Sequence, residues 1–358
     1  MAVTQLNNDL REQKWLSNYF VEYVRTSGFK PYMGSGVNSV IQVKRELTSG
    51  GKSINLPLIT RLKGAGVAGY STLAGNEEAL GNFHQRIDVD YLRNAVRIRQ
   101  PDERWSNFDL LKAAGDALRV WAADKLREDL ITALGSINGI AYGTASTAQR
   151  NTWTAANEDR VLFGAARSNF NATHATALGA IASTAKLSAA VVSLMKRIAK
   201  TADPHIRPIR TSESQGREFF VMFAGSMAFR DLKTDSVMQQ ANREARPRDV
   251  ESNPIFQDGD LIYDGVIIRE IPEIPATGNV GTGSARVEPV YLCGAQALGV
   301  AWGQMPTTIR DDFDYKHEIG IGTQEVRGIE KMRFATGAAS AIKDHGMVTG
   351  FVAAAADA

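Results

Sequence analysis

The stretch from Ser106 to Gly135, SNFDLLKAAGDALRVWAADKLREDLITALG, decides how the rest of the chain is read. Phe108, Leu111, Ala114, Leu118, Trp121, Leu126, Leu130, Ile131 and Leu134 recur at helical spacing, while Asp109, Lys112, Asp116, Arg119, Asp124 and Arg127 take the other faces. The pattern predicts one helix over about 106–134, roughly 40 Å long and more than twice the average. Ser106 stands where it could accept a bond from the Asp109 N–H, and Gly135 where a left-handed exit would end the helix. A strut this long exceeds the needs of one small domain.

Working outward, 358 residues allow two or three domains, and 44% hydrophobic with 22% charged residues is ordinary for folded protein. Lys plus Arg number 41 against 39 Asp plus Glu, so any contact with DNA would be local or weak. Cys293 is the only cysteine, which excludes an intrachain disulfide and suits folding in a reducing cytoplasm. The first residues, MAVTQLNNDLREQKW, lack the pattern of a secretory signal, and no stretch approaches the roughly 20 apolar residues of a membrane span.

Upstream of the strut the chain lacks the makings of a core. Residues 1–38 read as a polar arm with one weak helix within Leu6 to Val24, broken by Gly28, Pro31, Gly34 and Gly36. Residues 39–63 read as a hairpin, with Val40, Gln42 and Lys44 alternating in one run, Ser53 to Thr60 as the other, and Thr48 to Gly51 as the turn. Lys44, Arg45, Lys52, Arg61 and Lys63 against Glu46 give this ribbon a charge of about +4. Such a ribbon is marginal alone and needs a partner surface. Gly64, Gly66 and Gly69 match the dinucleotide fingerprint, with Asp88 or Asp90 at the acidic offset, yet the following residues carry Gly75, Asn76 and Gly81 where a helix should open. A flexible loop is therefore expected there. From Phe83 to Arg99 alternation returns, and Arg93, Arg97 and Arg99 are expected to form a solvated face or to pair with carboxylates of a neighbouring element rather than to read nucleic acid.

Downstream, residues 136–174 predict a surface excursion anchored by Trp153, Val161, Leu162 and Phe163. Ala175 to Ala202 predicts one amphipathic helix, Glu218 to Ala224 a buried strand, Ser226 to about Arg243 a helix capped by Ser226, and Asp260 to Ile271 paired strands. Val287 to Trp302 reads as a strand followed by a helix, with closing strands near Tyr315–Ile321, Gly328–Phe334 and Met347–Ala353.

No constellation supports catalysis. His84, His174, His205, His317 and His345 lack companions at metal-ligand spacing, and Asp258, Asp260 and Asp264 lack the remaining ligands of a calcium loop and read as a turn. Asp311, Asp312, Asp314 and Glu318 read as a solvated acidic turn, and Cys293 has the neighbours of a structural thiol. No enzyme, cofactor or metal is expected.

The order of parts is loose arm, coreless ribbon, strut, compact region and late-returning strands. Gly64 to Gly69 with Leu73-Ala-Gly-Asn-Glu-Glu78, then Arg93-Asn-Ala-Val-Arg97, Asp159-Arg-Val-Leu-Phe-Gly164, Ile206-Arg-Pro-Ile-Arg210, Asn253-Pro-Ile-Phe256 with Tyr263-Asp-Gly-Val266, Leu292-Cys-Gly-Ala-Gln-Ala297, and Gly328-Ile-Glu-Lys331 before Asp344-His-Gly-Met-Val348 follow in sequence. This ordered set resembles the major capsid proteins of tailed bacteriophages, and more narrowly the coat proteins of podophages with large virion-carried RNA polymerases. The resemblance implies an α+β, HK97-like capsid fold: an arm at 1–38, an extended E-loop region at 39–100, a peripheral domain at 101–139 and 320–358 carrying the spine helix, and an axial domain at 140–319. It implies self-assembly into hexamers and pentamers of an icosahedral head enclosing double-stranded DNA, assembled in the host bacterial cytoplasm. A portal protein at one vertex and separate scaffolding and decoration proteins would be the partners, with the DNA contacted weakly and no membrane involved. The namesake phage crosslinks its coat from lysine to asparagine; Lys52 and Asn55 are expected near the ribbon tip, without a matching glutamate context. On the same reading Lys44, Arg45, Lys52, Ile54, Leu56, Leu58, Arg61 and Lys63 would lie over the next subunit's strut, against Asp116, Asp124, Glu128 or Asp129. An encapsulin-like nanocompartment shell shares the fold, and a nicotinamide-dependent enzyme built on Gly64 to Gly69 is the alternative from another class.

Overall fold

The computed structural model describes residues 28–59, 61–62, 64–106, 108–210, 218–244, 260–335 and 342–355. The expected arm helix, Lys63 and Asp258 lie outside these residues. In chain order the elements begin β1 (Met33–Gly34), β2 (Ile41–Lys44), β3 (Ser53–Ile59), β4 (Asn82–Asp88), β5 (Asp90–Arg99), α1 (Gln100–Trp105) and α2 (Leu110–Gly135). The middle holds α3 (Thr147–Ala156), β6 (Val161–Phe163), α4 (His174–Gly179), α5 (Ala189–Thr201), β7 (Ile209–Arg210), β8 (Glu218–Ala224), α6 (Ser226–Thr234) and α7 (Ser236–Glu244). The remainder is β9 (Asp260–Tyr263), β10 (Val266–Glu270), β11 (Val287–Cys293), β12 (Leu298–Phe313), β13 (Glu318–Lys331), β14 (Arg333–Ala335), β15 (Ile342–Asp344) and β16 (Met347–Ala353).

The strut exists, with its start displaced. Ser106 is extended (φ −70°, ψ 142°) and closes α1, and its hydroxyl accepts the Phe108 N–H at 3.2 Å. Asp109 is the true cap, its Oδ1 accepting the Lys112 N–H at 2.8 Å. The 26 residues of α2 then run about 39 Å. Gly135 remains helical; the left-handed residues are Asn138 (φ 50°) and Gly139 (φ 85°). Gly135 is small for another reason, since a Cβ there would stand 3.0 Å from the Tyr291 hydroxyl.

The described chain forms two compact units, one built from residues 91–126 and 304–326 and the other from 28–90, 127–303 and 327–355. In the first, β5, β12 and β13 lie side by side at one end of the sheet order β1-β2-β12-β13-β5. The β12–β13 turn is tight, with Asp314, Tyr315 and Lys316 all at positive φ. Arg97 and Arg99 both pair with Glu318, and Arg97 also lies 4.4 Å above the Phe313 ring, so these arginines meet a neighbouring carboxylate.

In the second unit a seven-stranded sheet runs β6-β16-β11-β8-β10-β9, with β7 beside β8. The apolar face of α5 (Val191, Val192, Met195, Ile198) packs on Phe220, Met222, Val290, Leu292, Val348 and Val352 of that sheet. Each such fully buried side chain contributes about 1.5–3 kcal/mol, which makes this cluster the main core. Trp153, Val161 and Phe163 join Ile137, Leu178, Ile181 and Phe351 in a second cluster, so residues 136–174 are more than a surface excursion. The terminal strand Met347–Ala353 is buried along its length between β6 and β11, hydrogen-bonded into this sheet.

Several sequence expectations change in the folded chain. The hairpin joins β3 to β4, with Ser53 opposite Asp88 and Ile59 opposite Asn82; β2 instead runs parallel to both β1 and β12. A short 3-10 turn at Glu46–Ser49, pinned by buried Leu47, separates β2 from β3. The ribbon end is therefore residues 60–81, and Lys52 and Asn55 lie at its base. Leu298–Trp302 is strand, because a continuous apolar run buried between β2 and β13 carries no periodicity to tell it from helix. The expected helix over 175–202 is two, the second capped by Ser188 accepting the Val191 N–H at 3.4 Å. Ser226 caps nothing: Gly225 precedes α6, and Asp235 divides α6 from α7 while its Oδ2 accepts the Ala189 N–H at 2.7 Å. Tyr315–Ile321 and the start of Gly328–Phe334 merge into β13.

At Gly328 a Cβ would lie 1.9 Å from the Asp88 carbonyl oxygen, a backbone atom that cannot swing aside. Gly328→Ala should cost about 2–3 kcal/mol by overpacking, read as a fall in the thermal midpoint of unassembled subunits. A midpoint unchanged from wild type would refute the packing described.

Candidate assembly interface

The β3–β4 ribbon has two unlike faces because paired residues of a ladder project together. Ile54 faces Ile87, Leu56 faces Gln85 and Leu58 faces Phe83 on one side. This side is seated on its own chain: a Cβ at Gly299 would meet Ile87 Cδ1 at 2.6 Å and Leu56 Cδ1 at 3.8 Å, and Gln85 Nε2 donates to Glu330 Oε2 at 2.9 Å. Ile54, Leu56 and Leu58 are half-buried already. Leu56 therefore has an intrachain neighbour, while all three keep part of their surface exposed.

Beyond the base the balance reverses. Ile59, Leu62, Tyr70, Leu73 and Leu80 are 58% or more exposed. These side chains sit on a loop tied to itself: Glu78 Oε2 accepts the Gly64 N–H at 2.6 Å, and Asn76 Nδ2 donates to the Thr72 carbonyl at 2.9 Å. Gly66 and Gly69 take positive φ in open space, with no strand before them and no helix after, so the fingerprint lacks the turn that holds a pyrophosphate. Ile59 at the end of β3 and four large apolar groups on the following loop make an exposed apolar surface.

The charged residues sort likewise. Lys44 lies 4.0 Å from Glu46, while Arg45 and Lys52 are exposed. Arg61 meets Asp203 at 3.4 Å, a pair more than half exposed on both sides and therefore worth at most about 1 kcal/mol. On α2, Asp116 is 3.5 Å from Arg119, Asp124 is half-buried and Glu128 is exposed. Asp129 is different: it holds the buried guanidinium of Arg327 at 2.6 Å. This pair gives Asp129 an internal contact within the larger unit. Sequence reasoning missed Leu62, Tyr70, Leu73 and Leu80, which carry no periodic signal among glycines and polar residues.

His174 and Cys293 are buried, and His345 is largely so. His174 donates or accepts at both ring nitrogens, 2.8 Å from the Tyr142 hydroxyl and 2.8 Å from Thr154 Oγ1. Burial, reinforced by Arg150, lowers it to about 4, and burial with Arg160 lowers His345 to about 4, so both are neutral at pH 7. Burial pushes the Cys293 thiol up to about 12, the inert state of a structural cysteine. Among the described residues no three His, Cys, Asp or Glu side chains converge as metal ligands.

The long helix, the helix-backed sheet and the extended ribbon fit the mixed helix-and-sheet, HK97-like capsid fold that the sequence resemblance implies. The chain belongs to the phage capsid protein family, whose model it matches over residues 4–356. It is 28% identical over 356 residues, 90% of each chain, to the major capsid protein of Pseudomonas phage KPP25. Among solved structures it is similar to the capsid of cyanophage Pam1, with 39% identity across 100% of both chains and a TM-score of 0.90. It shares the fold of the capsid of Ralstonia phage GP4, at 22% identity over 100% and 99% of the two chains and a TM-score of 0.75. The protein is a structural major capsid protein of a phage, part of the virion shell, and not an enzyme.

Because His174 and His345 take up protons less readily when folded, the unfolded chain binds more protons between pH 6.5 and about 4. Stability should hold above pH 6.5 and fall as pH drops through that window, by roughly 3 kcal/mol per histidine at full effect. Denaturant midpoints of unassembled His174→Gln should fall less than wild type between pH 7 and 4.5; identical pH profiles would contradict this.

Proposed function

We propose that the chain forms hexameric and pentameric capsomers of an icosahedral head that encloses double-stranded DNA, in which the ribbon end of each subunit lies over the long helix of the next. The observation that carries this reading is the uncovered set Ile59, Leu62, Tyr70, Leu73 and Leu80. Burying it on a neighbour would gross on the order of 10 kcal/mol per contact before the entropy of association is subtracted. Arg45 and Lys52 at the ribbon base add positive charge, and Asp116, Asp124 and Glu128 offer carboxylates on the receiving helix. Each subunit donates this contact once and receives it once, a heterologous interface that closes into rings.

On this reading residues 1–38 are the arm, 39–100 the ribbon region, 101–139 and 320–358 the peripheral domain and 140–319 the axial domain. The terminal strand Met347–Ala353 joins the axial part through its hydrogen bonds to β11 and β6. Assembly takes place in the host cytoplasm, with a portal at one vertex and scaffolding supplied by a separate protein. The formal net charge of +2 supports weak contact with the packaged DNA, since tight binding to phosphates requires a basic lining.

Tyr70→Ser combined with Leu73→Ser should leave subunit stability within about 0.5 kcal/mol of wild type, as surface changes do, while abolishing shells in electron micrographs. Normal shells from this variant would refute the ribbon's role, and shells that hold protein in place of nuclease-protected DNA would refute the genome-bearing reading.

A further inference from the structure

A cavity of about 730 Å³ opens in the second unit between the end of α2, helices α3 and α4, and strands β11 and β16. Interiors pack densely enough that voids much larger than a water molecule are few, and this volume falls in the range of small-molecule sites. Its walls are largely apolar and aromatic, with Tyr291 and Phe351 on the sheet side and Leu134 and Leu178 on the helical side.

Its polar groups are unusually under-used. Thr349 is 4% exposed and lines the cavity, and its hydroxyl has no hydrogen-bond partner among the described residues. Arg150 donates from Nη2 to the Tyr142 carbonyl at 2.8 Å and lies 4.6 Å from that ring, while its buried Nε has no hydrogen-bond partner among the described residues. Neither partner is an anion. The other cation of the lining, Lys331, is already neutralised by Asp344 at 3.0 Å. One positive charge without an anionic partner and one hydroxyl without a hydrogen-bond partner among the described residues therefore remain in a mostly apolar chamber.

We propose that this cavity binds a small amphiphilic carboxylate, its head on the Arg150 guanidinium and its apolar body against Tyr291 and Phe351. A carboxylate supplies the acceptor that the guanidinium fork matches best, and Thr349 offers a second donor. Such a ligand would brace α3 and α4 against the sheet from inside, independently of the ribbon contact.

The test is calorimetric titration of the full-length protein, as free subunits and as shells, with naphthalene-2-carboxylate and with the neutral 2-naphthamide. The carboxylate should bind saturably and about tenfold or more tightly than the amide in both forms, the gain of a charge-assisted bond. Arg150→Gln should erase the preference while leaving amide binding intact. Absence of saturable binding, equal affinities in the wild-type protein, or a preference that survives in Arg150→Gln would each overturn the proposal. Carboxylate binding by free subunits that disappears in shells would also overturn it, by placing a neighbouring chain's carboxylate in the cavity instead.

Discussion

The buried ion pair of Lys331 and Asp344, 3.0 Å apart and each 3% exposed, fixes the point on which the larger unit closes. Taking two charges out of water costs several kcal/mol per ion, and the pair is tolerable only because its remaining bonds are made. Asp344 Oδ2 also accepts the Trp153 indole N–H at 3.1 Å, Asn157 Oδ1 accepts the Asp344 N–H at 2.9 Å, and Arg160 donates to the Asp344 carbonyl. One residue thus ties the end of β13 to α3 and to the segment before β6. The strand that follows, Met347–Ala353, enters the sheet two residues later, so the network sets the position from which the last strand is inserted.

That insertion gives the larger unit long-range closure. β16 pairs antiparallel with β11 from Val287 opposite Ala353 to Cys293 opposite Met347, and parallel with β6 on its other side. A strand buried on both edges and both faces contributes apolar burial along its entire length, and it comes from the far end of the chain. The same logic explains the long β12 and β13, which begin or end in the larger unit and run on into the smaller one.

The ribbon is the complement of that closure. At its base the inner face is clamped by Gly299 and Glu330, which makes it a fixed arm rather than a free one. Past Ile59 the chain turns its apolar residues outward, and it is held by local bonds such as Glu78 to the Gly64 N–H and by the pair of Arg61 with Asp203. The base is seated on its own chain, and the end leaves its apolar side chains exposed.

The strut was legible from sequence alone because helical periodicity is local: nine apolar positions over 30 residues predict α2 whatever surrounds it. So were the buried strand Glu218–Ala224, the structural cysteine and the membership of a capsid family, which an ordered set of short motifs carried. Pairing was not legible. Whether β3 joins β2 or β4, and whether Leu298–Trp302 is strand or helix, depends on which distant segment lies alongside, and nothing in a short apolar run records its partner. The same limit hid which apolar residues stay exposed: Leu56 and Leu73 are both leucines in a polar ribbon, and only the tertiary structure places Gly299 beneath one and leaves the other in water.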